Sequence, residues 1–376
     1  LGEMMMFKYD VLIEREDICN YESEIATIGR YVSRKEKIVL FAPRRFGKTS
    51  IAINVIGKKF LSQKGTPVFC YVNFQEVVDL DSIAVRLAHS LEYAVNRAFP
   101  VKTRLSKIMD SLKLLKPQMN IDPVSGEFLL TLSLGKSPQK ELIEIFETMR
   151  SLSERHPLFL CLDEMQDIAA IPEAEALLRA FLQTMAGSPV MITGSKKHLL
   201  SRIFLDEQKP FYNWGKIVEL KPIGIDEWKK YIVARFKNKK NRIVDEALKY
   251  LLDSTYYIPN YICKICSELY EANSNCEISI AEVERVIHKI YLDSQSLYAE
   301  KTSFLTRNQM KFLVLLAKES YIKELTSKET IGKCGLSTRG ISQIALVLLD
   351  KGYVEKDERG FRIADPFFAY YLSREF

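Results

Sequence analysis

No uncharged stretch of this sequence approaches the roughly 20 apolar residues that a membrane-spanning helix needs, so no membrane partner is expected. The opening Leu1-Gly2-Glu3-Met4-Met5-Met6 runs straight into Lys8 and Asp10 and lacks a signal-peptide core. It is read as a trimmed or tag-derived end and set aside from fold reasoning. There is no internal repeat and no low-complexity tract. A strong charge of either sign is also missing. The formal net charge is +6, a mild excess that permits an anionic partner without requiring one. The cysteines, Cys19, Cys70, Cys161, Cys263, Cys266, Cys276 and Cys334, are odd in number and irregular in spacing, which argues against a disulfide framework. Cys70 and Cys161 lie in apolar runs, the pattern of reduced thiols in a cytoplasmic protein. Cys263-Lys264-Ile265-Cys266 has no matching second pair, so neither zinc nor redox chemistry is expected there.

What is present is a soluble globular composition, 47% hydrophobic and 27% charged, over 376 residues. That length suggests about two or three domains. The first two thirds alternate short apolar strands with amphipathic helices, the signature of a parallel α/β sheet. Strands are expected at Lys37 to Phe41, Pro67 to Val72, Leu158 to Leu162, Val190 to Thr193 and Ile217 to Leu220. Each is an unbroken apolar run of the kind that parallel strands show when buried on both faces. A long insertion separates the second and third strands. Its Asp122-Pro123-Val124-Ser125-Gly126 turn, between β-prone flanks, predicts a β-hairpin near 118–134. After Lys221-Pro222 the pattern is helical to about residue 300. The last segment reads as three helices and a two-stranded ribbon around Glu358-Arg359-Gly360, a winged helix. The expected divisions are a strap at 1–30, an α/β core at 31–222, a helical bundle at 223–300 and a winged-helix domain at 301–376.

The central motif is Ala42-Pro43-Arg44-Arg45-Phe46-Gly47-Lys48-Thr49, followed by Ser50. The phosphate loop is G-x-x-x-x-G-K-[ST], and here Ala42 stands at the first glycine. The Gly-Lys-Thr tripeptide is weak evidence alone, but an apolar strand precedes it and a helix-compatible stretch, Ser50 to Ile56, follows. Loop and helix N–H groups then face the phosphates of ATP, where the helix dipole also favours negative charge. Lys48 would reach the β- and γ-phosphates and the Thr49 hydroxyl would ligate Mg2+. A second motif, Leu158-Phe159-Leu160-Cys161-Leu162-Asp163-Glu164, ends an apolar strand in two acids. Asp163 is the expected magnesium carboxylate, and Glu164 the general base that orients and deprotonates the attacking water. Val190-Met191-Ile192-Thr193-Gly194-Ser195 ends another strand in small polar residues, of which Ser195 or Thr193 could sense the γ-phosphate.

Together, Pro43 to Ser50, Asp163-Glu164-Met165-Gln166, Ile192 to Ser195, Leu220-Lys221-Pro222 and Ile258-Pro259-Asn260-Tyr261 resemble the archaeal-type P-loop ATPases of the STAND branch, near the AAA+ proteins. The resemblance covers most of residues 15 to 376. It implies an ATPase core, a helical bundle and a C-terminal winged helix. Members carry a Gly-Arg-Glu-x-Glu-Leu box near the N-terminus that helps hold adenine; here the candidates are Asn20 to Ile25 or Glu14-Arg15-Glu16. Members often have an arginine after a Pro-Leu-Tyr-like segment. This sequence has Pro210-Phe211-Tyr212-Asn213-Trp214-Gly215-Lys216 there, a departure from that pattern which leaves the arginine finger unassigned. Some relatives continue into a nuclease domain after an Asp-Pro-Phe segment. This chain ends soon after Asp365-Pro366-Phe367-Phe368, and no nuclease is expected.

In the winged helix, Ser337 to Asp350 is the expected third helix. Ser337 caps it, and Ile341, Ile344, Ala345, Leu348 and Leu349 form its apolar stripe. For duplex DNA the candidate contacts are Arg339, Ser342 and Gln343, preceded by Lys328 and Lys333, with Arg359 and Arg362 on the wing. Asp357 and Glu358 thin that basic face, and a protein partner, a homo-oligomer or an autoinhibitory lid is the alternative. The leading expectation is an ATP-driven switch coupled to the winged helix. A DNA-binding initiator-like or DNA-loading ATPase and a nonenzymatic nucleotide-gated scaffold stand beside it.

Overall fold

Five apolar runs make one parallel sheet: β1 (Lys37–Phe41), β2 (Val68–Asn73), β5 (Leu158–Asp163), β6 (Val190–Gly194) and β7 (Lys216–Glu219), in the order β2-β5-β6-β1-β7. These coordinates are a computed structural model that describes residues 7–99, 108–121, 128–132, 135, 137–171, 173–195, 197–272 and 275–376. The described chain forms two compact units, Lys8–Ile223 and Gly224–Phe376, the latter joined by Phe7. Within the second unit one helix, Ile280–Ser303, runs unbroken through the expected division at residue 300.

The inner strands β1, β5 and β6 are apolar on both faces because both faces are covered, whereas the edge strand β7 leaves Lys216 and Ile217 exposed. Alternate residues Val39, Cys70, Val72, Leu160, Leu162 and Ile192 join a cluster with Leu87 and Leu91 of helix α3 (Leu80–Ala98) and Ile145 and Met149 of helix α4 (Pro138–Arg155). On the other face Phe159 packs against Phe69 of β2 and against Phe60, with ring centroids 5.0 and 5.4 Å apart. Phe60 belongs to helix α2, which follows α1 (Glu22–Ser33), runs from the phosphate loop and is α-helical over Lys48–Ser50 and Lys58–Leu61. Between them it is π-helical over Ile51–Gly57, a widening the sequence does not announce.

The insertion contains the antiparallel pair β3 (Gln118–Ile121) and β4 (Phe128–Thr131), with Asn120 opposite Leu129. The expected turn at Asp122 to Gly126 lies outside the described residues. The pair is tied to α3 by Asn96, whose amide bonds both backbone groups of Leu130 at 2.8 and 2.9 Å.

The second unit begins with helices Ile225–Phe236, Asp245–Ser254, Pro259–Ala272 and Ile280–Ser303. Between them lies a two-residue parallel pair, Arg242–Ile243 with Glu277–Ile278. Helices Arg307–Glu319, Lys328–Cys334 and Thr338–Asp350 follow, then the ribbon Val354–Asp357 with Gly360–Ile363 and a closing helix Pro366–Glu375. The Ser337 hydroxyl accepts from Gly340 N; Ile341, Ala345 and Leu348 of the expected stripe are buried, whereas Ile344 and Leu349 are only half-buried. The closing helix is absent from the sequence reading. It is capped by Asp365, which accepts from Phe367 N and Phe368 N. Among the described residues no helix is long and apolar enough to cross a membrane.

Candidate nucleotide site

Because the sheet is parallel, the carboxyl ends of β1, β5 and β6 lie along one edge, where doubly wound α/β folds bind ligands. The loop after β1 turns through two left-handed residues, Arg45 (φ 67°) and Gly47 (φ 83°). Ala42 is not among the positive-φ residues, so its backbone does not need a glycine. Phe46 is buried and Arg44 and Arg45 are exposed. Gly47 opens helix α2, whose first-turn N–H groups have no intrahelical acceptor. Lys48 is buried, with Nζ 3.4 Å from the Pro43 carbonyl.

Asp163 is 2% exposed and gathers four donors: Thr49 Oγ1 at 3.0 Å, Tyr71 Oη at 2.6 Å, the Glu164 N–H at 2.9 Å, and the Thr193 hydroxyl. Residues 49, 71, 163 and 193 stand on four different elements, so the contact is a product of sheet order. Tyr71 sits on β2, two register positions before the Asn73–Asp163 end of the β2–β5 ladder. Burial, reinforced by the Asp163 charge, raises its phenol far above the ordinary value, which keeps it a proton donor. Sequence reasoning passed over Tyr71, because a tyrosine in an apolar strand reads as core.

Glu164 takes a left-handed backbone (φ 52°) that swings it out of the strand line. Its Oε2 accepts from Ser195 Oγ at 2.8 Å and from the Gln166 amide. The two sensor candidates therefore divide, Thr193 to Asp163 and Ser195 to Glu164. Of the adenine candidates, the segment at Glu14 runs beside helix α2. The Ile13 N–H donates to Ser50 Oγ at 3.1 Å, Asn54 Nδ2 donates to the Ile13 carbonyl at 3.1 Å, and Lys58 pairs with Glu14 at 2.5 Å. Tyr21 is instead buried and donates to the Lys221 carbonyl at 2.8 Å.

The groups along this edge fit a magnesium nucleotide: a hydroxyl, a buried carboxylate, a lysine and the first-turn N–H groups of helix α2. Residues 296–374 match the family model described as a probable winged helix domain. No curated protein matches the chain in sequence. Among solved structures, the chain is similar to a Walker-type ATPase of Pyrococcus abyssi at 14% identity and TM-score 0.64, covering 98% of this chain and 99% of that one. The chain shares the fold of the P-loop ATPases. The ORC2 protein of Aeropyrum pernix, in ADPNP and ADP complexes, is similar at 14% identity and TM-score 0.56 over 99% of this chain and 97% of that one. Its ORC1 protein, in complex with DNA, is similar at 13% identity and TM-score 0.54 over 98% and 96%.

In the C-terminal unit the expected exposed set departs at Ser342, partly buried with its hydroxyl donating to the Thr338 carbonyl at 3.0 Å, and at Arg362. Arg362, expected on an exposed wing, has a side chain only 4% exposed. It pairs with Glu355, directly opposite on the ribbon, lies 3.6 Å from Asp357, and sits 4.9 Å over the Tyr256 ring. The physical reason is cross-strand register, which turns it toward Tyr256 and away from solvent. Arg359 is half-exposed, 3.5 Å from Asp357 and 4.2 Å over Tyr321. Lys333 bridges Glu319 and Glu329. Arg339 and Gln343 stay exposed on the third helix beside Leu346, which is 66% exposed.

Proposed function

We propose that this chain binds ATP with magnesium, hydrolyses it, and couples its nucleotide state to the C-terminal winged helix as a molecular switch. The observation that carries the reading is the convergence of Thr49 and Asp163, 114 residues apart, at 3.0 Å beside the start of the Lys48 helix. The helix N–H groups and Lys48 would hold the β- and γ-phosphates. Thr49 and Asp163 would hold the magnesium, which when bound neutralises phosphate charge. Glu164 would accept the proton of the attacking water, and Ser195 would report the state of the γ-phosphate to it. Such a switch shifts only as far as ATP distinguishes its two states.

The test is thermal melting with and without ATP and magnesium, together with a turnover assay. Ligand at 100 times its dissociation constant adds about 2.7 kcal/mol of stability, so wild type should melt measurably higher. Lys48→Ala should lose that response. Glu164→Gln should keep it and turn over about 100- to 10,000-fold more slowly. An unchanged ATP response in Lys48→Ala would move the site elsewhere. Stabilisation of wild type without turnover would make the chain a nucleotide-gated scaffold.

A second reading, a DNA-binding initiator-like or DNA-loading ATPase, is favoured by exposed Arg339 and Gln343 on the third helix and by the DNA complex of the ORC1 neighbour. Titration of duplex DNA at several salt concentrations tests it. Arg339→Ala should reduce the log–log salt slope by about 0.9 for a lost phosphate contact. If neither protein binds, exposed Leu346 and Val347 make this helix a surface for a protein partner or a second copy.

A further inference from the structure

Gln166 follows the paired acids and is 3% exposed, although nothing apolar about glutamine favours burial. It lies in the 3-10 turn Met165–Ala170 that starts directly after Glu164. Its amide nitrogen donates to Glu164 Oε2 and, at 3.2 Å, to Asp167 Oδ1. Asp167 is itself held through Oδ2 by the Glu76 N–H at 3.0 Å, in the turn after β2. The amide oxygen is buried without a partner among the described residues, packed against Gly194. A Cβ at position 194 would overlap that oxygen and come within 2.7 Å of Leu200. The glycine at the tip of β6 thus makes the space the amide occupies. Only with its nitrogen toward the two carboxylates does the amide present donors to acceptors.

Ser195 Oγ donates to the same Glu164 oxygen at 2.8 Å. Two neutral donors converge on Oε2, and among the described residues no hydrogen bond is made to Oε1. We propose that Gln166 is a positioning residue that, with Ser195, pins Oε2 of Glu164 and so reserves Oε1 to receive the proton of the attacking water. The inference rests on the reading of Glu164 as the general base. The proton moves from water to Oε1 as the water oxygen bonds to phosphorus and ADP leaves. Gln166 gains and loses nothing; it fixes a carboxylate that would otherwise rotate about its last torsion.

The experiment compares wild type, Gln166→Met, Glu164→Gln and the double variant with ATP and magnesium, by steady-state and single-turnover hydrolysis and by nucleotide-dependent melting. Methionine keeps the length and volume of glutamine and removes the donor. Gln166→Met is expected to keep KM and the ATP-induced rise in melting temperature while kcat falls roughly ten- to a hundredfold, the worth of a hydrogen bond to a charged group. In the Glu164→Gln background the same substitution should have no further effect, because it acts only through that carboxylate. A wild-type kcat in Gln166→Met overturns the proposal. So does a loss of equal size in both backgrounds, the mark of a merely structural lesion. If Gln166→Met does not fold, Gln166→Asn, which keeps the amide but shortens its reach, is expected to lose rate the same way, and a wild-type rate in it overturns the proposal. Wild-type turnover in Glu164→Gln would instead sink the general-base reading itself.

Discussion

Arg362→Ala separates a structural from a nucleic-acid role for the wing. The guanidinium donates to Glu355 and, at 3.2 Å, to the Ile363 carbonyl, lies 3.6 Å from Asp357, and covers the Tyr256 ring. Its removal leaves two carboxylates of one strand without their shared cation and opens space beside a buried ring. Breaking a fully buried pair costs about 3–5 kcal/mol. Glu355 and Asp357 retain 24% and 36% of their side-chain exposure, so water recovers part of that loss. The discounted cost is about 2–3 kcal/mol. For a unit of this size that corresponds to a fall in Tm of roughly 5–10 °C. Arg362→Met should recover part of the loss, because it restores the stem but not the charge. Thermal melting combined with hydrogen exchange at Val354–Asp357 and Gly360–Ile363 is the assay. A change within about 0.5 kcal/mol, the range of an ordinary surface substitution, would refute the reasoning and return Arg362 to the face available for phosphate.

Two further outcomes follow from the P-loop unit. Gly57→Ala should destabilise the chain, since its Cβ would come to 2.5 Å from the Phe69 ring. Overpacking costs about 1–3 kcal/mol against a helix gain of roughly 0.5–1 kcal/mol, and urea midpoints should show the sign reversing in a Phe69→Leu background. Lys37, half-buried and donating to the Met185 and Ser188 carbonyls at 2.6 and 2.9 Å, has its ammonium pushed down from 10.5 to about 8 by burial. Between those values the unfolded chain holds a proton that the folded chain has released, so stability rises with pH across that window. Wild type should therefore gain on Lys37→Met from pH 8 to 10.5 and run parallel to it below pH 8; a constant difference in denaturant midpoint across the range would refute the assignment.

The amino-acid sequence by itself determined the strands of the sheet, because a parallel strand buried on both faces must be apolar at every position, as Ile38 to Phe41 and Leu158 to Leu162 are. It also marked the loop at Gly47-Lys48-Thr49, the acids at Asp163-Glu164 and the cap at Ser337, since each is a local pattern within a few residues. Tertiary structure alone decided which of these meet. Tyr71 reaches Asp163 across 92 positions because β2 and β5 are neighbours in the sheet, and Ser195 reaches Glu164 because β6 lies on the other side of β5. Arg362 shows the same limit on a smaller scale. The ribbon was legible around Glu358-Arg359-Gly360, but its register, Glu355 opposite Arg362, and the Tyr256 ring beneath it withdraw the charge from solvent. Periodicity along a chain reports which face of an element is apolar; partners depend on strand order and register, which no local window contains.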